Sequence, residues 1–193
     1  SRVYPIARGT APLLVALTAP FFIGDHLSVQ EYIGVTVLGL GILLMAQGIF
    51  ANGENRRMLP FALGSALATA TYTLIDGHGA RISGDAVAYV AWVFVADGII
   101  FATGALAFKG LDVLPRNRRA WGVGLLASGA SYGAYAVSIW AMTRAPIAVV
   151  AAVRETSILF AVLIGWIAFG ERMTRGKALA AVVIVLGVIA TRL

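Results

Sequence analysis

Long apolar runs separated by short polar or charged interruptions dominate the chain. A bilayer core about 30 Å thick takes about 20 helical residues at 1.5 Å each. Seven stretches meet or approach that length, at approximately 3–24, 32–51, 58–75, 86–108, 120–142, 146–169 and 177–191. The fifth carries no charge between Arg119 and Arg144, whereas the last is short, with 14 residues from Ala178 to Thr191 between Lys177 and Arg192. Connections such as Gly24 to Glu31 and Gly170 to Lys177 leave no room for a soluble domain. The pattern predicts an all-α, multi-pass membrane bundle of seven helices. Small residues such as Ser128, Gly129, Ser131 and Gly133 lie inside the spans. In lipid they let helix backbones approach closely, so packing explains them without a ligand.

Composition agrees with this pattern. Of 193 residues, 60% are hydrophobic and 12% charged, against roughly 45–50% and about 25% in soluble domains. The net charge of +6 does not point to nucleic acid, because the basic residues form short clusters between apolar runs. Alternating the spans places Arg2, Arg56, Arg57, Lys109, Arg116, Arg118, Arg119, Arg172, Arg175 and Lys177 on one side, and Arg81, Arg144 and Arg192 on the other. The positive-inside rule makes the first side cytoplasmic and leaves the C-terminal end outside. With no cysteine and only His26 and His78, the chain has no thiolate chemistry and almost no ligands for a metal or haem. No cofactor is expected.

The chain repeats itself at an offset of 146 residues. Arg8, Thr10, Gly24, Asp25, Leu27, Ser28 and Gly41 correspond to Arg154, Thr156, Gly170, Glu171, Met173, Thr174 and Gly187. In each copy a glycine can end the first helix in a left-handed cap, and Ser28 or Thr174 can cap the next. The offset predicts residues 1–54 to be the last two helices of a first copy and 55–193 a complete five-helix second copy. A full duplication would have about 280 residues and ten spans. An odd number of spans per copy turns successive copies upside down, the inverted repeat of many secondary transporters.

Two segments, Val3-Tyr-Pro-Ile-Ala-Arg-Gly-Thr-Ala-Pro-Leu-Leu and Arg154-Glu-Thr-Ser-Ile-Leu-Phe, are each followed by a Gly-acid turn. They resemble the two halves of EamA-type carriers of the drug/metabolite transporter superfamily. The resemblance covers all seven spans. It implies a ten-helix carrier that moves small metabolites, often amino acids or related compounds, across the bacterial inner membrane. Gly24-Asp25-His26 departs from the Gly-Glu-Arg usual in the family, and three helices of the first half are absent from this sequence.

Four ionisable residues fall within spans: Arg8, Asp97, Arg154 and Glu155. Each costs about 2.5–3.5 kcal/mol on insertion scales unless it is paired or faces a cavity. Asp97, mid-span on a short side chain, is a candidate for proton coupling or for binding a substrate ammonium, with an ion pair to Arg8 or Arg154 as the structural alternative. Arg8 and Arg154, at equivalent repeat positions, can offer guanidinium forks to a carboxylate or phosphate. Glu155 lies about 100° around the helix from Arg154 and is expected to point elsewhere, toward a partner in the absent helices. Thr156, Tyr72, Tyr132 and Trp92 complete the candidate substrate-contacting set, with ordinary packing as the alternative for the aromatics. Pro5, Pro12 and Pro20 are expected to kink or break the first span, and Ile158 at the position equivalent to Pro12 makes that break one-sided.

The leading function is therefore a secondary carrier for small anionic or zwitterionic metabolites, working by alternating access. Its partners are the bilayer, a small-molecule substrate and a proton, with a homodimer as a candidate assembly and no nucleic acid. A membrane enzyme using Asp97 and Glu155 as a carboxylate pair, or a non-catalytic subunit needing a partner, are the alternatives. No Walker motif is present, and Lys177, at the start of the last span, is poorly placed for a retinal Schiff base.

Overall fold

The computed structural model describes residues 4–45, 56–115, 117–170 and 174–191. Among them all regular structure is helical: α1 Tyr4–Phe22, α2 Val29–Leu44, α3 Leu59–Ser83, α4 Ala86–Lys109, α5 Arg118–Met142, α6 Ile147–Glu155, α7 Ser157–Phe169 and α8 Arg175–Ala190. Short 3-10 turns precede α3 and follow α4. Among the described residues three segments are long and apolar enough to cross a membrane: Pro5–Phe22, Ala86–Val113 and Ile147–Ala168. The other expected spans fall short of that measure for identifiable reasons. Helix α2 is apolar but has 16 residues, and residues 46–51 of the expected second span lie outside the described ones. Helices α3 and α5 are long, but Gly, Ser, Thr and Tyr dilute their hydropathy, and α3 runs on through Asp76, His78 and Arg81 to Ser83.

The chain forms two packing units, residues 1–76 with 145–193, and residues 77–144. In the first, α2 packs against α1, α6 and α8, and α1 against α6. Leu38, Ile42, Val15, Ile147 and Ile184 are fully buried there. In the second, α4 packs on α5 around Val90, Ile139 and Met142. Asp85 caps α4, its Oδ1 accepting from Val87 N and Ala88 N at 3.0 Å. Arg81 Nε donates to Met142 O in the last turn of α5 at 2.8 Å, a cation where orphan carbonyls and the helix dipole favour one. Phe21, Phe101 and Phe108 are 87%, 80% and 92% exposed, a surface suited to lipid rather than water.

Helix ends match between positions 146 residues apart. Shifting the bounds of α2 by 146 residues gives those of α8. Gly24 and Gly170 both take positive φ, +71° and +64°. Ser28 forms a capping box with Glu31, and Thr174 accepts from Lys177 N at 3.3 Å. The two equivalent helices also pack on each other. Gly34 meets Thr191, Gly41 meets Ile184 and Gly187 meets Leu38, so numbering falls along α8 as it rises along α2 and the helices are antiparallel. Since Leu38 and Gly41 are the repeat equivalents of Ile184 and Gly187, the last two contacts are one contact made twice about a local two-fold axis. A Cβ on Gly187 would lie 2.5 Å from Leu38 N, so the close approach requires glycine there.

The prolines do not break the first span. Helix α1 is continuous through Pro12 and Pro20, and Pro12 is fully buried. Pro5 sits in the first turn, where no amide donor is needed. In an apolar environment the remaining backbone groups have no alternative to the helix, which tolerates such prolines where neighbours pack around them. The interruption falls instead between α6 and α7 at Thr156.

Candidate functional site

The interruption at Thr156 follows directly on the two charged residues of its span. Thr156 Oγ1 and N both donate to Val153 O, at 2.6 and 3.0 Å, which closes the last turn of α6 in place of the regular ladder. Its repeat equivalent Thr10 stays within α1, so threonine alone does not cause the break. Among the differences between the two segments is the residue just before the threonine, Gly9 in one and Glu155 in the other.

Glu155 is 2% exposed, and its Oε2 accepts from Arg8 Nη1 on α1 at 2.7 Å. Its Oε1 lies 3.6 Å from Arg154 Nε, an ion pair too long for a hydrogen bond. The expectation that Glu155 and Arg154 diverge, with Glu155 pairing in absent helices, is therefore corrected. The short-range partner of Glu155 is Arg8 on α1, and Arg154 approaches the same carboxylate. Arg154 Nη2 also reaches Thr73 Oγ1 on α3 at 3.5 Å. Thr73 is 1% exposed and was not among the candidates. Only the rarity of Thr in a buried helix face could have signalled it, and α3 holds three other threonine and serine positions before Tyr72. A small cavity of about 70 Å³, lined by Arg8, Glu155, Ser157, Ile158 and Ala161, adjoins the pair.

The N-terminus of α6 is held from the connection between α1 and α2. Asp25 Oδ2 accepts from Ile147 N at 2.7 Å, supplying the side-chain cap that Pro146 cannot. The Gly-Asp-His turn thus has a structural task that its sequence did not announce.

The remaining candidates are placed differently. Asp97 is exposed on α4. It lines an open groove of about 830 Å³ with Phe94, Phe101, Ser128 and Ser131. Phe94 meets Tyr132 edge to face at 5.4 Å, and the Tyr132 hydroxyl donates to Val87 O at 3.2 Å, so Tyr132 ties α5 to α4. Trp92 is 74% exposed, and Tyr72 is exposed on α3. Among the described residues no group of three or more His, Asp or Glu could hold a metal.

The arrangement can bind an anion. Two guanidiniums converge on one carboxylate beside a broken helix, inside a bundle whose exposed surface is apolar. A model of the EamA-like transporter family matches residues 56–193. The chain belongs to the EamA-like transporter family. It is accordingly a membrane protein of a transporter family within the drug/metabolite transporter superfamily, and members of this EamA-like family are transporters rather than enzymes. No curated protein and no solved structure matches the chain.

Proposed function

We propose that this EamA-like protein is a secondary carrier for small anionic or zwitterionic metabolites, amino acids among them, in the bacterial inner membrane. The observation that carries the reading is the convergence of Arg8 and Arg154 on the single buried carboxylate of Glu155. Two forks against one acid favour a ligand that brings a second carboxylate. Burying unpaired charge is costly in a membrane, so such a cluster is retained for a task.

Alternating access is the proposed mechanism, and the antiparallel packing of α2 on its equivalent α8 supports it. A helix antiparallel to its own repeat is what an inverted duplication produces. The agreement between the family match, 56–193, and the second copy read from the repeat supports a five-helix unit from 55 to 193, with 1–54 the end of a first one. Seven spans in this chain and ten in a complete duplication follow from that reading. Asp97 is proposed as the proton-coupling carboxylate, and Thr156, Tyr72, Tyr132 and Trp92 as contributors to the substrate path.

Uptake into proteoliposomes tests the function. Protein reconstituted with an imposed proton gradient is expected to accumulate a radiolabelled amino acid or carboxylate from a panel, and Arg154→Gln is expected to abolish accumulation while the protein still elutes as a single species in detergent. Equal accumulation by the variant would reject the assignment.

A further inference from the structure

The two repeat-equivalent arginines are not used alike. Arg8 makes the short bond, 2.7 Å to Glu155 Oε2. Arg154, whose side chain is 18% exposed, has only long contacts among the described residues, 3.6 Å to Glu155 and 3.5 Å to Thr73. A mostly buried guanidinium usually has its five donors engaged at 2.7–3.2 Å. Thr73 is in the same position. Its Oγ1 accepts from Arg154, its own hydroxyl proton donates to no acceptor among the described residues, and it is 1% exposed. Other helical threonines and serines here, such as Thr18, Thr71 and Ser128, return their proton to a carbonyl four residues back. Thr73 does not.

We infer that Arg154 and Thr73 form the carboxylate-binding pair of the carrier, and that Arg8 serves as the fixed counter-ion of Glu155. A ligand carboxylate oxygen set beside the two donors, which lie 3.5 Å apart, takes a charge-assisted bond from the Arg154 fork and a hydrogen bond from the Thr73 hydroxyl. Glu155 stays on Arg8 throughout, so the ligand does not compete with the ion pair that joins α1 to α6. Thr73 is thus a specificity-determining residue, which fits a planar carboxylate at one oxygen. The inference rests on the carrier reading for its biological use, but not for its test.

The test is equilibrium binding in detergent, read as the shift in unfolding temperature by tryptophan fluorescence, with sodium acetate, glycine and glutamate as probes and sodium chloride as the ionic control. Wild-type protein is expected to be stabilised by at least one of the carboxylates beyond chloride. Arg154→Lys, which keeps the charge and loses the fork, and Thr73→Val, which keeps the shape and loses the hydroxyl, are each expected to weaken that binding about 10-fold or more, with the unfolding temperature in chloride little changed. Arg8→Lys is expected to lower the unfolding temperature in chloride yet retain the carboxylate response. No response of the wild type to any carboxylate overturns the inference. So does a response that survives in Thr73→Val, or one lost equally in Arg8→Lys and Arg154→Lys. If binding follows this pattern but proteoliposomes show no flux, the carrier reading fails and the site stands.

Discussion

Arg8 Nη1 lies 2.7 Å from Glu155 Oε2, joining side chains 147 residues apart in the chain. The glutamate is 2% exposed and the arginine 36% exposed, so the pair is lopsided: the acid has little solvent to fall back on, whereas the base has some. Removing one partner of a buried pair costs about 3–5 kcal/mol, because the other charge is left uncompensated. Arg8→Gln is expected at the lower end, since Arg154 remains near the acid. Chemical unfolding in mixed micelles, followed for Arg8→Gln, Glu155→Gln and the double variant, measures this. The double variant is expected to be more stable than the sum of the single losses, and strict additivity would show that the pair does not couple.

The contact between α2 and α8 sets a second expectation. A methyl on Gly187 meets the backbone of Leu38, which cannot step aside. Gly187→Ala is expected to lose about 1–3 kcal/mol by overpacking. Gly129→Ala, where a Cβ meets nothing within 4 Å, is the control and is expected to be neutral or slightly stabilising. Unfolding temperatures of the three proteins decide it.

Asp25 holds the first amide of α6 from outside that helix. Asp25→Ala is expected to cost about 0.5–2 kcal/mol, as for loss of an N-cap. Hydrogen exchange should show the effect locally, with faster exchange of the amides at 147–150 and unchanged protection in α8.

Asp97 has no partner to lose among the described residues, so Asp97→Asn is expected to leave stability within about 0.5 kcal/mol of the parent. If it couples protons to transport, the same variant accumulates no substrate down a proton gradient but still exchanges substrate across the membrane at equal pH. Unimpaired gradient-driven uptake would remove Asp97 from the mechanism.

The absence of native cysteine allows orientation to be read from single substitutions. Asn117→Cys, in the basic connection between α4 and α5, is expected to react with an impermeant maleimide only from the cytoplasmic side, and Thr143→Cys, at the other end of α5, only from outside.

The helices and their terminations were legible because they depend on neighbours in sequence. Apolar runs marked the helices, and Gly24, Ser28, Gly170 and Thr174 marked the turns, since a left-handed glycine or a hydroxyl cap acts within a few residues. The offset between Arg8 and Arg154 pointed to the region of the site for the same reason. Sequence misplaced the helix break because proline was weighed without its surroundings. In lipid a backbone group freed from the helix finds no water, and packing around Pro12 keeps α1 intact.

By itself, then, the order of residues determined an all-helical chain with two arginines 146 residues apart. Only the tertiary structure decided what those arginines do. It gave Glu155 to Arg8 and left Arg154 beside Thr73, because side chains far apart in sequence meet only when α1, α3 and α6 have packed. The antiparallel register of α2 on α8 was decided in the same way, by how closely the glycine backbones can approach and not by any local preference.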